Sequence, residues 1–252
     1  MILTTLSWIA DKVKGTLKGD DQEVNGVSTD TRTLQKGDVY IALCGDNFNG
    51  HRFVASAEKA GASAVIASED ISTSLPVIKV ADTKLALGLL GAAVKTEVAP
   101  KTIAVTGSSG KTTVKEMTAA ILARRGNVLA TAGNFNNDIG VPLTLLRLRE
   151  AHEAAVLEVG SNHPGELEPL LQLIRPRYGV LTSIGREHLE FFGDIEGVIE
   201  EEGALAEALP PDGCLFVNGD IEGLESIRAR CRATVVTVGA GDGCDWRIAG
   251  IV

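Results

Sequence analysis

The stretch Thr102-Ile103-Ala104-Val105-Thr106-Gly107-Ser108-Ser109-Gly110-Lys111-Thr112-Thr113 joins an apolar, strand-like run to a helical one that continues from Val114 through Ala123. A glycine-rich turn in that setting suits a phosphate. Gly107 and Gly110 let the backbone turn so that several N–H groups face one anion. The helix behind them offers its unpaired N–H groups and positive dipole end to the same charge. Lys111 is placed to reach terminal phosphates, and the Thr112 hydroxyl to join the shell of a magnesium ion. The turn is shorter than the usual Walker A pattern, which puts about four residues between its glycines; here Ser108 and Ser109 alone intervene. Gly107, Ser108, Ser109, Gly110, Lys111, Thr112 and Thr113 form the candidate nucleotide-binding set.

Outward from this turn the alternation is regular. Strand-like runs at 102–106, 127–131, 154–160, 178–184, 214–218 and 233–238 are separated by helical segments at 111–125, 165–174, 194–208 and 221–230. Several strands, such as Ala154-Ala155-Val156-Leu157, are unbroken apolar runs, as a parallel sheet buried on both faces requires. The pattern predicts an α/β fold with a mostly parallel sheet and ligands at the carboxyl ends of its strands. Before residue 100 the texture changes to short β-like runs at 38–43, 64–67 and 76–80, with helical stretches at 51–60 and 83–94. Glu97-Val98-Ala99-Pro100-Lys101 reads as the joint, because proline cannot continue a helix. Two domains are expected, 1–99 and 100–252. The second is expected to be incomplete at its C-terminus, since Ala249-Gly250-Ile251-Val252 resembles the middle of a strand.

A net charge of −9 argues against general nucleic-acid binding, though not against a phosphorylated ligand in one basic pocket. No apolar run approaches the roughly 20 residues that span a bilayer. The start lacks a basic segment and Asp11 interrupts it, so it does not read as a signal peptide. Cys44, Cys214, Cys231 and Cys244 are scattered, with neither metal spacing nor the density of a disulfide framework. A cytoplasmic, monomeric protein with reduced thiols and no membrane insertion is expected.

Other positions carry chemistry as well. Glu158 closes an apolar strand, where a carboxylate is costly unless it finds a cation or faces water. His188 follows the run Val180–Ile184 and reads either as a hydrogen-bonded structural histidine or as a ligand. In Glu200-Glu201-Glu202, the first two read as a solvated face. Glu202 shares the helical spacing of Ile195, Val198, Ile199 and Leu205, which puts a carboxylate on the apolar side. There it should be paired, protonated or metal-bound. Asn134, Asn136, Asn137 and Asp138 crowd one loop that suits ligand contacts or a tight turn. Ser28-Thr29-Asp30-Thr31-Arg32 reads equally as a phosphate or sugar contact through Arg32 and as a surface turn.

Together, Ser-Thr-Asp-Thr-Arg (28–32), Gly-Asp-Val-Tyr-Ile-Ala-Leu (37–43), Asn-Gly-His-Arg-Phe (49–53), the phosphate turn with Val-Lys-Glu-Met (106–117), Gly-Asn-Phe-Asn-Asn-Asp-Ile-Gly (133–140), Glu-Val-Gly-Ser-Asn-His-Pro-Gly-Glu-Leu (158–167) and Glu-His-Leu-Glu-Phe-Phe-Gly (187–193) resemble the Mur ligases of bacterial cell-wall synthesis. The member that joins D-alanyl-D-alanine to UDP-N-acetylmuramoyl-tripeptide fits best. The resemblance implies ATP-dependent amide formation through an acyl phosphate. Lys111, His188 and Glu202 form the expected catalytic set, and Thr112, Glu158, His188 and Glu202 the expected Mg2+ ligands. It further implies that Asn218 contacts the adenine side. Ser28, Asp30, Arg32, Asn47, His51, Asn134 and Asn137 are expected to contact the UDP-sugar-peptide. The family usually carries a carbamoylated lysine fourteen residues after the metal-binding histidine. That position is Glu202 here, and no lysine follows Lys115. Glu202 is expected to replace that group directly. A sibling ligase with another amino substrate, or a non-catalytic fragment that binds nucleotide and UDP-sugar, are the alternatives.

Overall fold

The computed structural model describes residues 1–24, 26–45, 48–186 and 189–249. Two compact units emerge, one of residues 1–98 with 145–150, the other of 99–144 with 151–252. In the first, the elements run β1 (Thr4–Thr5), α1 (Leu6–Lys12), β2 (Thr16–Lys18), β3 (Glu23–Val24), β4 (Val27–Ser28), β5 (Val39–Ile41), β6 (Cys44–Gly45) and β7 (Phe48–Asn49). A 3-10 turn (Gly50–Phe53), α2 (Val54–Ala60), β8 (Ala64–Ala67), β9 (Val77–Lys79) and α3 (Thr83–Val98) follow. The main sheet has the order β2-β9-β8-β5-β4, parallel except where β2 pairs with β9. Tyr40, Val65 and Ala67 pack with Val54 and Ala57 of α2 to form a core. The buried Tyr40 hydroxyl donates to Gly50 O at 3.1 Å and so seats the 3-10 turn.

The second unit runs β10 (Lys101–Thr106), α4 (Lys111–Leu122), β11 (Asn127–Ala130), α5 (Gly140–Leu145), β12 (His152–Glu158), α6 (Leu167–Ile174), β13 (Tyr178–Leu181) and α7 (Leu189–Phe192). It continues with α8 (Ile195–Ala208), β14 (Cys214–Asn218), α9 (Leu224–Arg230), β15 (Thr234–Gly239) and β16 (Trp246–Arg247). The sheet order is β11-β12-β10-β13-β14-β15-β16, and every pair is parallel. Ala154 to Glu158 and Thr102 to Thr106 are buried throughout, as strands covered on both faces must be. From β10 the chain moves to one side for β11 and β12 and then to the other for β13. The switch point of this sheet therefore lies around the carboxyl end of β10, where such folds bind ligands.

Elements differ from the sequence reading in detail. Helix α3 runs on to Val98, deeper into the expected joint, and strand β13 stops at Leu181 because the chain then turns toward β10. The strands β1 to β4 and helix α1 have no counterpart in that reading: they span two to seven residues, too short to display a period.

Candidate active site

The turn after β10 has Gly107 at φ +121° and Gly110 at φ +85°, where side-chain-bearing residues are strained. A Cβ on Gly107 would also collide with the Thr182 hydroxyl and lie 2.8 Å from Ser183 N. Close packing against the loop after β13 explains both. Ser108 N–H donates to Ser183 O (2.9 Å), Ser109 N–H to Ser183 Oγ (2.8 Å), and Gly185 N–H to Ser108 Oγ (2.7 Å). The Thr182 hydroxyl donates to Ser109 O (2.7 Å). Helix α4 begins at Lys111 behind Gly110, which has no side chain to cap it. Among the described residues, the N–H groups of Lys111, Thr112 and Thr113 meet no acceptor. Such a helix end is an anion site by construction. Lys111 Nζ folds over the turn and donates to Gly107 O (2.5 Å) and Ser108 O (3.3 Å). These carbonyls hold the ammonium at the same helix start.

Glu158, at the end of β12, is 3% exposed. Its carboxylate is met by two donors, and its backbone N–H is fixed by a third contact. Thr112 Oγ1 donates to Oε2 (2.9 Å), Asn136 Nδ2 donates to Oε1 (3.0 Å), and Glu158 N–H donates to Thr131 Oγ1 (3.0 Å). Thr112 and Glu158 thus bring hydroxyl and carboxylate oxygens together, the donor chemistry magnesium takes. Glu202 of α8 is 4% exposed, and the Thr106 hydroxyl reaches its Oε2 (2.7 Å) as well as Val159 O (3.0 Å). A glutamate of the helix is therefore aimed at the base of the phosphate turn. His188, the remaining expected metal ligand, lies outside the described residues.

Glu201 corrects the sequence reading. It is not on a solvated face: at 7% exposure its carboxylate accepts Gly165 N–H (2.7 Å) and Leu167 N–H (2.8 Å), closing the start of α6. Helix α8 packs on α6 as well as on β10 and β13, so its covered surface is wide enough to take both carboxylates. The loop that Glu201 fixes forms one wall of a cleft of about 620 Å3. Lys111, Asn134, Asn136 and Asn137 line the cleft together with Gly160, Asn162 and Glu166. Asn137 Oδ1 also accepts Gly140 N–H (2.8 Å), so one asparagine both turns the loop and lines the cleft. Burial alone would push the Glu166 carboxyl up. Hydrogen bonds from the Asn162 and His163 N–H groups and the His163 ring outweigh it and leave the pKa lowered. Asn218 ends β14, and its Oδ1 accepts Asp220 N–H (3.0 Å).

In the first unit, the candidate groups engage one another. Asp30 accepts from Arg32 Nε (2.9 Å) and its terminal nitrogen (2.6 Å), which holds the Asp30 carboxyl down at about 2. The Ser28 hydroxyl donates to Asp30 O (2.9 Å) and shapes the same turn. His51 is enclosed: Ser68 N–H (3.0 Å) and Glu69 N–H (3.3 Å) point at Nε2, so Nδ1 carries the proton and donates to Asn49 Oδ1 (2.9 Å). Burial lowers its pKa. Cys44 Sγ, His51 and Glu69 also converge, with ligand atoms within 4.8 Å of one another. The scattered cysteine spacing does not reveal this cluster. His51 nonetheless offers no lone pair toward it, because Nε2 accepts from the backbone and Nδ1 is protonated. Burial also raises the Cys44 thiol pKa, away from the thiolate a metal needs. Asn47 lies outside the described residues.

The comparisons with known proteins bear on this geometry. Residues 105–252 match the Mur ligase middle domain, and residues 23–125 match the Mur ligase family, catalytic domain. The chain belongs to the Mur ligase family. A UDP-N-acetylmuramoyl-tripeptide–D-alanyl-D-alanine ligase from Escherichia coli is 46% identical over 220 residues, covering 87% of this chain and 49% of that protein. The enzyme of the same name from Bacillus subtilis is 42% identical, covering 87% and 50%. A crystal structure of MurF from Acinetobacter baumannii superposes with a TM-score of 0.91 at 35% identity, over 95% of this chain and 54% of that one. MurF from Thermotoga maritima in complex with ADP gives a TM-score of 0.80 at 28% identity, over 88% and 52%. The chain spans about half the length of the relatives it matches. No helix among the described residues is long and apolar enough to cross a membrane.

Sequence reasoning missed Lys115, Thr131, Glu201 and the loop at Thr182 to Gly185. The small polar run after β13 was a usable signal for the last, since a phosphate turn needs a close-packing neighbour. The others follow from long-range packing: α4 on β11 for Lys115 and Thr131, and α8 on α6 for Glu201.

Proposed function

We propose that this chain carries the nucleotide- and UDP-sugar-binding part of an ADP-forming amide ligase that joins D-alanyl-D-alanine to UDP-N-acetylmuramoyl-tripeptide. The observation that carries the reading is the helix start at Lys111 to Thr113, with its N–H groups meeting no acceptor among the described residues, beside an ammonium and the Thr112–Glu158 oxygen pair. The names of the relatives supply the substrates, and the ADP complex of one of them supports the nucleotide.

In this reading, ATP phosphorylates the terminal carboxylate of the tripeptide, and the amine of D-alanyl-D-alanine displaces phosphate from the acyl phosphate. The turn from Gly107 to Thr113 holds the phosphates, and Lys111 offsets charge as it moves onto the transferred group. Thr112 and Glu158 would hold Mg2+, which when bound neutralises phosphate charge. Asn134 and Asn137 orient the substrate within the cleft that also contains Lys111. Ser28, Asp30 and Arg32 bind the UDP-sugar in the first unit, where a phosphate competes with the Asp30 carboxylate for Arg32. His51, with both ring nitrogens engaged, acts by holding its loop rather than by touching the ligand. Asn218 contacts the adenine side. His188 and Glu202 would hold a second metal, Glu202 supplying the negative charge that a carbamate gives elsewhere in the family.

The experiment is orthophosphate release from ATP by the complete gene product. It should require both UDP-N-acetylmuramoyl-tripeptide and D-alanyl-D-alanine. Release without the dipeptide, or only with another amino substrate, overturns the assignment. A Glu202→Gln variant with unchanged Mg2+-dependent turnover removes Glu202 from the site.

A further inference from the structure

Lys115 is a cation with no role in the chemistry above, yet it is fully buried, at 0% exposure. Its ammonium donates to Thr131 O (2.8 Å) and to the carboxylate of Glu116 (2.5 Å). Taking a lysine wholly out of water is costly, and an apolar side chain of similar length fills such a space at lower cost. What the lysine adds is an anchored carbonyl. Thr131 follows β11, and its N–H donates to Val156 O (3.1 Å). Its hydroxyl then accepts the backbone N–H of Glu158 (3.0 Å). Glu158 Oε2 accepts in turn from Thr112 Oγ1 (2.9 Å), three residues before Lys115 on the same helix. The connections close a ring: Lys115 to Thr131, Thr131 to Glu158, Glu158 to Thr112, and Thr112 back to Lys115 through one turn of α4. Thr131 and Glu158 are both buried, so little solvent competes with the ring.

We infer that Lys115 and Thr131 are positioning residues that fix the Glu158 carboxylate against Thr112 and thereby set the affinity of the magnesium site. The inference rests on the reading of Glu158 as a magnesium ligand. Groups that orient a metal ligand from behind typically change metal affinity by about 10- to 100-fold when removed.

The test measures ATP binding to the 252-residue chain by calorimetry over a range of Mg2+ concentrations, with EDTA as the metal-free reference. Three variants are compared: Lys115→Met, Thr131→Val and Glu158→Gln. Lys115→Met and Thr131→Val should each raise the Mg2+ concentration for half-maximal enhancement about tenfold, with metal-free ATP affinity unchanged. If Glu158→Gln leaves the Mg2+ dependence unchanged, the reading of Glu158 fails, and this inference with it. If Glu158→Gln shifts it and the other two variants do not, the positioning role alone is overturned. Should Lys115→Met fail to fold, the near-isosteric Thr131→Val decides. Loss of folding in that variant too, or an equal loss of ATP affinity with and without metal, assigns the ring to stability and overturns the inference.

Discussion

The two units treat their polar groups in opposite ways. Around residues 106–113 the chain is fastened to the loop after β13 and to the end of β12, while the N–H groups at the start of α4 have no acceptor among the described residues. Around residues 28–51 the candidate groups consume one another: Arg32 closes on Asp30, and His51 is engaged at both ring nitrogens. The first arrangement is preorganised for an anion, because the N–H groups at the helix start have no acceptor among the described residues to give up before it binds. In the second, an anion competes with a carboxylate already held by Arg32. Affinity for phosphate is therefore expected to be built into the β10–α4 turn and conditional in the first unit.

The largest expected effect removes a charge from the prepared site. Lys111→Ala should weaken ATP binding by about 1.5–3 kcal/mol, the range for hydrogen bonds to charged groups, or about 10- to 150-fold. Calorimetry on the wild-type chain and the variant measures it, and equal affinities would erase the contrast between the two units.

Next comes the wall of the cleft. Glu201→Ala leaves the N–H groups of Gly165 and Leu167 without their buried acceptor. A loss of about 2 kcal/mol in denaturant unfolding is expected. Glu201→Gln, which keeps an acceptor oxygen, should recover part of it. A variant as stable as wild type would return Glu201 to the solvated role its charge run suggests.

A smaller effect belongs to His51. Burial lowers its folded pKa below the ordinary value near 6.5, so the folded state binds this proton less readily than the unfolded state does. Its contribution to stability is complete above about pH 6.5 and is lost as pH falls through the lower folded value. Ring titration by NMR should give a midpoint below that of a free histidine, with the proton on Nδ1 above it. A midpoint at or above the ordinary value would open the ring to ligand contact.

The smallest effect is Arg32→Ala. The pair it breaks is exposed, so unfolding stability should be nearly unchanged. The Asp30 carboxyl should nevertheless rise from about 2 toward the ordinary carboxylate range, which an NMR titration reads directly. An Asp30 that stays low would mean that the turn itself holds it, leaving Arg32 free for phosphate.

What could be read from the chain alone follows the same division. In the second unit, strands such as 154–157 are apolar without a break and the glycine turn sits between a strand and a helix. Gly107 to Thr113 and Glu158 were accordingly legible by spacing. Glu202 was legible from helical period, and its neighbour Glu201 was not, because α8 is covered over a wider face than one apolar stripe suggests. Lys115 meets Thr131 because α4 packs on β11, and Thr131 reaches Glu158 because β11 lies beside β12; no local pattern encodes either. In the first unit, β5, β8 and β9 were legible as short apolar runs, whereas β1 to β4 span two or three residues with no period to read, and the joining of Cys44, His51 and Glu69 depends on folding of the chain between them.

The most direct measurement is a backbone amide NMR titration of the 252-residue chain with Mg2+ and ATP. The account predicts that the amides of Lys111, Thr112 and Thr113 move with a single affinity. Ser108, whose N–H is already given to Ser183, should move far less, and residues 28–32 should remain in place. ATP binding that leaves Lys111 to Thr113 unmoved, or that moves the 28–32 turn instead, would contradict it.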